Sequence, residues 1–236
     1  MIKISKIKKL YCDFPQWFQL VLQSLAYIGL ALTGLFVYGY LQIGLSLSLR
    51  AIYLLTQNII VSALIGIIVL AIIYIVVLKL LWPKNYKNQL TTLTSCKYWL
   101  INIGLLIIVK LSQILIVSIS KTHSNTTNQE IINHIFYSSR LNQIYIILMT
   151  IFLAPLIEEV LFRGIPFHLI KNQGLALLIG SIAFTLCHSP NNCIAIILYL
   201  IMGIALGVDY YWNGYKGSYI LHFLINLTAI LTMLKF

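Results

Sequence analysis

Long apolar runs alternate with short polar connections along the whole chain. A window of about 19 residues, close to the length at which a helix crosses a bilayer, separates seven such runs. They cover residues 17–40, 58–82, 99–120, 145–162, 175–188, 193–211 and 218–234. The fifth run is short, and the two most polar breaks fall at 83–98 and 121–143. This pattern predicts an all-α, polytopic transmembrane bundle of about seven helices.

The composition strengthens the membrane interpretation. Of the 236 residues, 60% are hydrophobic and only 9% are charged, whereas soluble domains carry about 25% charged residues. A soluble fold of this length could not bury so much apolar surface, so lipid must solvate most of it. No internal repeat divides the chain. We therefore expect a single membrane domain over residues 1–236.

The chain is strongly basic, with 16 Lys and Arg against 5 Asp and Glu and a formal net charge of +11. The basic residues lie in the connections between apolar runs and form no stripe interleaved with aromatic residues, which argues against nucleic acid as a partner. Their distribution fits contact with anionic lipid. The positive-inside bias places the N-terminal lysines and Lys84 to Lys97 in the cytoplasm. We expect a multi-pass protein of the cell membrane with a cytoplasmic N-terminus.

The cysteines predict neither a metal site nor a disulfide framework, because the four of them contain no CxxC pair. They are Cys12, Cys96, Cys187 and Cys193. The last two flank the turn 189–192 and could form a bridge on an oxidising side. Four free thiols packed as small apolar side chains is the favoured interpretation, and we expect neither a cofactor nor a metal.

Two of the five acidic residues, Glu158 and Glu159, are adjacent within an apolar run. A charge at bilayer depth costs about 2.5–3.5 kcal/mol, so ionisable residues there indicate function. Glu159 and Arg163 are four residues apart on one helical face and can form an ion pair. Glu158 points about 100° away. A pair that only ties helices together would explain Glu159 and Arg163, but it leaves Glu158 without a partner in its own helix.

Two later apolar runs supply polar partners for these glutamates. His188 ends the fifth run, and the seventh run carries His222 and Asn226 on one face. Each of these alone is more typical of a hydrogen bond between membrane helices. Together with the glutamates they provide a base, a partner for that base and two oxyanion donors, which are the groups that peptide hydrolysis requires.

A depth comparison favours His188 as the partner of Glu158. If the turn between the fourth and fifth runs centres near residue 173, both side chains lie fifteen residues from it. Antiparallel helices would then carry them at similar depth, whereas His222 matches this depth less well. Pro166 could end the fourth helix early, which would lessen the His222 mismatch and weaken the His188 match.

Three segments resemble the motifs of the CPBP family, the CAAX-protease and bacteriocin-processing enzymes. Glu158-Glu159-Val-Leu-Phe-Arg163 resembles its EExxxR motif, 184–188 its FxxxH motif and 222–226 its HxxxN motif. The first motif alone is a weak signal, but three in the family's order, each in an apolar segment, are a strong one. The resemblance covers residues 150–236, and the residues before them carry no such motif.

This resemblance implies a helical bundle with its active site sunk into the membrane. It implies that Glu158 activates water with help from His188, and that His222 and Asn226 stabilise the oxyanion. The arginine and the second glutamate of the first motif would support the site. The expected activity is that of an intramembrane glutamic endopeptidase, which cleaves a membrane-associated peptide or protein without a cofactor.

Two alternatives stay open. A zinc-dependent membrane protease could use His188, His222 and a glutamate as ligands, although HExxH is absent and Asn226 suits an oxyanion role better. A non-enzymatic bacteriocin-immunity or peptide-sensing protein could use the same polar groups for binding alone. The complete set of motif residues argues against this second alternative.

The remaining polar and small residues within the apolar runs have simpler interpretations. Lys110, midway along the third run, is interpreted as a snorkelling or internally paired lysine rather than a catalytic one. Gly203 and Gly207 are interpreted as small-residue packing between helices rather than a hinge.

Overall fold

The structure, a computed structural model, describes residues 15–81, 95–120 and 127–234. Over these ranges the chain forms seven helices and no strand. They are α1 (Gln16–Thr56), α2 (Ile59–Leu81), α3 (Cys96–Ser120), α4 (Thr127–Ser138), α5 (Arg140–Leu169), α6 (Gln173–Cys187) and α7 (Cys193–Leu234). Four of them, α1, α3, α5 and α7, contain stretches long and apolar enough to cross a membrane. The predicted all-α polytopic bundle is confirmed.

Two predictions concern the four cysteines and the basic segments that were expected to lie in the cytoplasm. Cys12, the N-terminal lysines and the basic residues between Lys84 and residue 94 lie outside the described residues. Cys96, Cys187 and Cys193 are free and exposed. The alternative bridge between Cys187 and Cys193 is therefore not formed, and the expectation of free thiols is confirmed for these three residues. The expectation that they pack as small apolar side chains is wrong, because they are exposed.

One helix is longer than hydropathy predicted, and another was not predicted at all. α1 continues sixteen residues past the end of the first apolar run, up to Gln57, whose left-handed backbone (φ 50°) ends it. α4 lies within the predicted polar break 121–143 and buries Phe136 completely against α7 and its neighbours. Hydropathy measures the preference for lipid, whereas polar side chains leave the backbone hydrogen bonds of a helix intact. The predicted end of the first helix was therefore wrong, and α4 was missed because its polar side chains do not prevent a helix.

The sixth and seventh apolar runs join directly into α7, without a separate connecting loop. The helix bends at Gly214, whose φ of 68° and ψ of −166° lie in a region that essentially only glycine adopts. This bend falls between the sixth and seventh apolar runs, which cover residues 193–211 and 218–234. The second half of α7 therefore runs in a different direction from the first half, and its polar face lies against α5.

α5 lies at the centre of the bundle. In its most apolar stretch 67% of the residues are buried, against 7% in α1 and 11% in α3. Two π-helical segments, Leu148–Leu153 and Val160–Gly164, flank the α-helical segment Ala154–Glu159. π-type turns are rare and are frequent at functional sites. The helix continues through Pro166 to Leu169, so the predicted alternative of an early end at this proline is wrong.

Small residues bring α6 close to α5 and α7. A Cβ atom on Gly180 would collide with the main-chain carbonyl of Phe162 in α5. A Cβ on Gly203 would lie 3.2 Å from the Cα of Ser181, and one on Gly207 would lie 3.0 Å from Leu177. Small residues allow membrane helices to approach closely. The packing interpretation of Gly203 and Gly207 is confirmed.

Candidate active site

The adjacent glutamates lie in the central segment of α5, between its two π-helical segments, and both are buried. Glu159 is fully enclosed and receives three hydrogen bonds. Its Oε1 accepts from Arg163 Nη1 at 3.0 Å and from His222 Nδ1 at 2.7 Å, while Oε2 accepts from the Ser218 hydroxyl. A carboxylate with this many donors is stabilised in its ionised form and has little capacity left for a substrate.

Arg163 connects three helices at one point. Besides its bond to Glu159, its Nη2 donates to the Gly203 carbonyl of α7 at 3.3 Å. Its guanidinium lies 4.5 Å above the ring of Phe184 in α6, a cation–π geometry. The ion pair predicted from the spacing of four residues is therefore confirmed.

Glu158 faces two imidazole rings. Its Oε2 lies 3.8 Å from Nε2 of His188 and 3.8 Å from Nε2 of His222, and no described group hydrogen-bonds to this oxygen. The predicted proximity of Glu158 and His188 is confirmed. The expectation that His222 matches less well in depth is wrong, because the bend in α7 brings this ring as near as that of His188.

Hydrogen bonds at Nδ1 fix the tautomer of each histidine. Nδ1 of His188 lies 2.7 Å from the Phe184 carbonyl, which can only accept, so this nitrogen carries the proton. Nδ1 of His222 lies 2.7 Å from the Glu159 carboxylate. In the neutral form each ring therefore presents an unprotonated Nε2 to Glu158. The ring of His188 is further held between Phe184 and Tyr199, with centroids at 4.3 and 4.4 Å.

Asn226 lies one helical turn beyond His222 on α7. Its Nδ2 donates to the Thr150 carbonyl in the first π-helical segment of α5, at 2.8 Å. An amide NH₂ group has two donors, so one remains for another acceptor. The bond to Thr150 fixes the position of the side chain beside the cavity.

An open cavity of about 790 Å³ joins these groups. Glu158, His188, His222 and Asn226 line it, whereas Glu159 and Arg163 lie behind its wall. Tyr38, Lys110, Thr150 and Tyr199 line it as well.

Sequence reasoning did not assign Tyr38, Thr150, Tyr199 or Ser218 to the site. Ser218 alone had a usable signal, since it precedes His222 by four residues and so shares its helical face. Tyr38 and Tyr199 resemble any other aromatic residue of an apolar run, and the contribution of Thr150 comes from its main chain.

A catalytic zinc ion would need three protein ligands at one point. Within residues 15–81, 95–120 and 127–234, no group of three or more His, Cys, Asp or Glu side chains is arranged to hold one. The 3.8 Å between Glu158 and each imidazole leaves the three groups facing each other without direct hydrogen bonds.

Comparison with known proteins places the resemblance in the same part of the chain. Residues 140–228 match the family model described as Type II CAAX prenyl endopeptidase Rce1-like. UPF0177 protein YaiH of Lactococcus lactis subsp. lactis (strain IL1403) is 35% identical over 85 residues, which are 35% of this chain and 36% of the relative. The chain thus covers about a third of this relative's length, and no solved structure matches it. The three motifs and the family model fall in the same part of the chain, so residues 140–228 are similar to the Rce1-like type II CAAX prenyl endopeptidases.

Proposed function

We propose that this protein is an intramembrane endopeptidase in which Glu158 activates a water molecule to hydrolyse a peptide bond. The observation that carries this proposal is the buried Glu158 Oε2, which has no described hydrogen-bond partner and faces two imidazole Nε2 atoms at 3.8 Å each. A water at about 2.8 Å from this oxygen and from one Nε2 would lie off the line that joins them. It would donate to the carboxylate and to the imidazole at once.

The reaction then follows general-base chemistry. The water oxygen attacks the scissile carbonyl carbon while Glu158 takes one of its protons, and the carbonyl π electrons move to the oxygen. When the tetrahedral intermediate collapses, the C–N bond breaks and Glu158 returns the proton to the leaving amine. His188, whose tautomer is fixed by the Phe184 carbonyl, orients the water.

The oxyanion receives its donors from α7. Neutral His222 offers no N–H at Nε2, so it donates only when protonated, and the Glu159 carboxylate at Nδ1 holds the ring in position. The second N–H of the Asn226 amide supplies the other hydrogen bond. Arg163 and Ser218 keep Glu159 in position for this task.

The family match supports a peptide or protein substrate held at the membrane. A protein that only binds a peptide in this cavity, as in immunity or sensing, would need no general base. The unpartnered Glu158 oxygen beside two oriented imidazoles therefore favours hydrolysis over binding alone.

The test uses the purified full chain in proteoliposomes. Synthetic peptides anchored by a farnesylated cysteine or by an apolar helix are added, and the products are identified by mass spectrometry. We expect the wild type to cleave some of them and Glu158→Gln, which keeps the shape but removes the base, to be nearly inactive at an unchanged melting temperature. Glu130→Gln, on α4, is the matched control. Cleavage by Glu158→Gln at close to the wild-type rate, or no cleavage by the wild type, would overturn the proposal.

A further inference from the structure

Tyr38 brings a hydroxyl group to the active-site cavity from α1. It lies in the cavity wall together with Glu158, His188 and Gln42. Its ring is half-buried and packs against the apolar core of the bundle. α1 lies outside residues 140–228, so the family match does not include this side chain.

A glycine allows α1 to approach α5 closely enough to reach the site. A Cβ atom on Gly34 would collide with the side chain of Leu161, in the second π-helical segment of α5. Tyr38 follows Gly34 by four residues, and Gln42 follows Tyr38 by four more. Residues at this spacing share one face of a helix. The face of α1 that packs against α5 therefore carries a phenol and an amide towards Glu158.

The Tyr38 hydroxyl is hydrogen-bonded to both Gln42 and Glu158. An ionised carboxylate can only accept, so Tyr38 donates its proton to Glu158, and the Gln42 amide donates to the phenol oxygen. Oε2 of Glu158 has no described partner, so the bond from Tyr38 goes to Oε1. The hydrogen bonds therefore run in one direction, from Gln42 through Tyr38 to Glu158.

Glu158 needs such a bond because the two imidazole rings do not hold it in place. Each Nε2 lies 3.8 Å from Oε2, which is beyond hydrogen-bond length. A carboxylate group is planar, so a bond that fixes Oε1 also sets the direction of Oε2. A misplacement of about 1 Å at a reacting group can lower a rate about 10²-fold. The hydroxyl of Tyr38 therefore acts on the group whose position matters most for the reaction.

We propose that Tyr38 positions the general base: its hydroxyl holds Oε1 of Glu158 so that Oε2 stays directed at the water beside His188, and Gln42 orients the hydroxyl. The inference rests on the proposed function and adds α1 to the parts of the chain that the reaction needs. Tyr38 is a positioning residue, because it acts through Glu158 and transfers no proton itself.

The experiment uses the purified full chain in proteoliposomes and the anchored peptide that the wild type cleaves best. Steady-state kinetics and thermal midpoints are measured for Tyr38→Phe, for Gln42→Met and for the double variant. Tyr40→Phe is the matched control, since it removes the same hydroxyl from the same helix at a position that is 63% exposed and outside the cavity.

We expect Tyr38→Phe to lower kcat about tenfold while KM stays within about twofold, because the lost bond holds the base and not the substrate. Gln42→Met should lower kcat about threefold, since the hydroxyl that it orients remains. The double variant should be no slower than Tyr38→Phe, because the amide acts only through the hydroxyl. Tyr40→Phe should match the wild type, and the thermal midpoints of all four should lie close together.

A wild-type kcat for Tyr38→Phe, or a loss that appears mainly in KM, would overturn the proposal. Losses that multiply in the double variant would overturn it as well, because they would show two independent packing contacts. Glu158→Gln, measured in the same assay, allows the two ideas to fail separately. An inactive Glu158→Gln beside an unaffected Tyr38→Phe would leave the general base standing and remove its positioning by α1. An active Glu158→Gln would remove both.

Discussion

Nδ1 of His222 is hydrogen-bonded to Oε1 of Glu159, at 2.7 Å. Nε2 of the same ring faces Oε2 of Glu158, at 3.8 Å. The two adjacent glutamates therefore act on opposite sides of one imidazole, although they are neighbours in sequence. Glu158 keeps one oxygen without a described hydrogen-bond partner, whereas Glu159 fixes the orientation of the ring.

Arg163→Ala should destabilise the protein and abolish most activity. The guanidinium is 1% exposed and pairs with a fully buried Glu159. Removing one partner of such a pair leaves an uncompensated charge and costs about 3–5 kcal/mol. The thermal midpoint in detergent measures this, with Arg140→Ala as the control, because Arg140 is exposed at the start of α5. An Arg163→Ala protein with wild-type stability and turnover would show that this pair supports neither the fold nor the site.

Ser218→Ala should lower kcat about tenfold with little change in KM. Its hydroxyl donates to Glu159 Oε2, and a hydrogen bond to a charged group contributes about 1.5–3 kcal/mol. Without it, the carboxylate that positions His222 is less constrained, while the substrate cavity keeps its shape. Steady-state kinetics separate the two constants. Ser118→Ala, at an exposed hydroxyl on α3, is the control. A change confined to KM would contradict the positioning role.

Helical geometry made part of this site predictable. The Glu159–Arg163 pair and the shared face of His222 and Asn226 depend only on residues four apart in one helix. Apolar runs likewise predicted where most helices lie, because lipid selects for continuous hydrophobicity. Such features are local, and no knowledge of the packing of distant helices is needed to infer them.

The contacts between helices were not predictable in the same way. The proximity of His222 to Glu158 depends on the bend at Gly214 and on the π-helical segments around α5. The bond from Asn226 to the Thr150 carbonyl and that from Lys110 to the Ile225 carbonyl use main-chain acceptors, which every residue has. No pattern of side chains along the sequence marks such an acceptor. The sequence therefore does not predict that Lys110 lines the cavity.

Chelation should leave activity unchanged. The proposed mechanism uses a water, Glu158, the two histidines and Asn226, and it needs no metal ion. The alternative in which His188, His222 and a glutamate bind zinc predicts loss of activity with a chelator and recovery with added Zn²⁺. Metal content of the purified protein and activity before and after chelation decide between them. Stoichiometric zinc that is required for turnover would replace the general-base mechanism by a metal-assisted one.

Asn226→Ala should fold and turn over slowly. One N–H of this amide is bound to the Thr150 carbonyl, which aims the side chain along the cavity wall, and the second is available to the developing oxyanion. Loss of one oxyanion donor typically lowers kcat about 10²- to 10³-fold. Because the bond to Thr150 also ties α7 to α5, a small fall in the thermal midpoint should accompany this loss.

Two further variants extend the comparison. Asn226→Asp keeps the shape but has no N–H, so it loses both the bond to Thr150 and the oxyanion donor and should be at least as slow as Asn226→Ala. Asn191→Ala, in the exposed turn between α6 and α7, should match the wild type. The decisive comparison is kcat at saturating peptide against the thermal midpoint. If kcat falls less than about threefold while the midpoint drops by several degrees, Asn226 is a helix-to-helix contact, and the oxyanion must be stabilised by His222 without it.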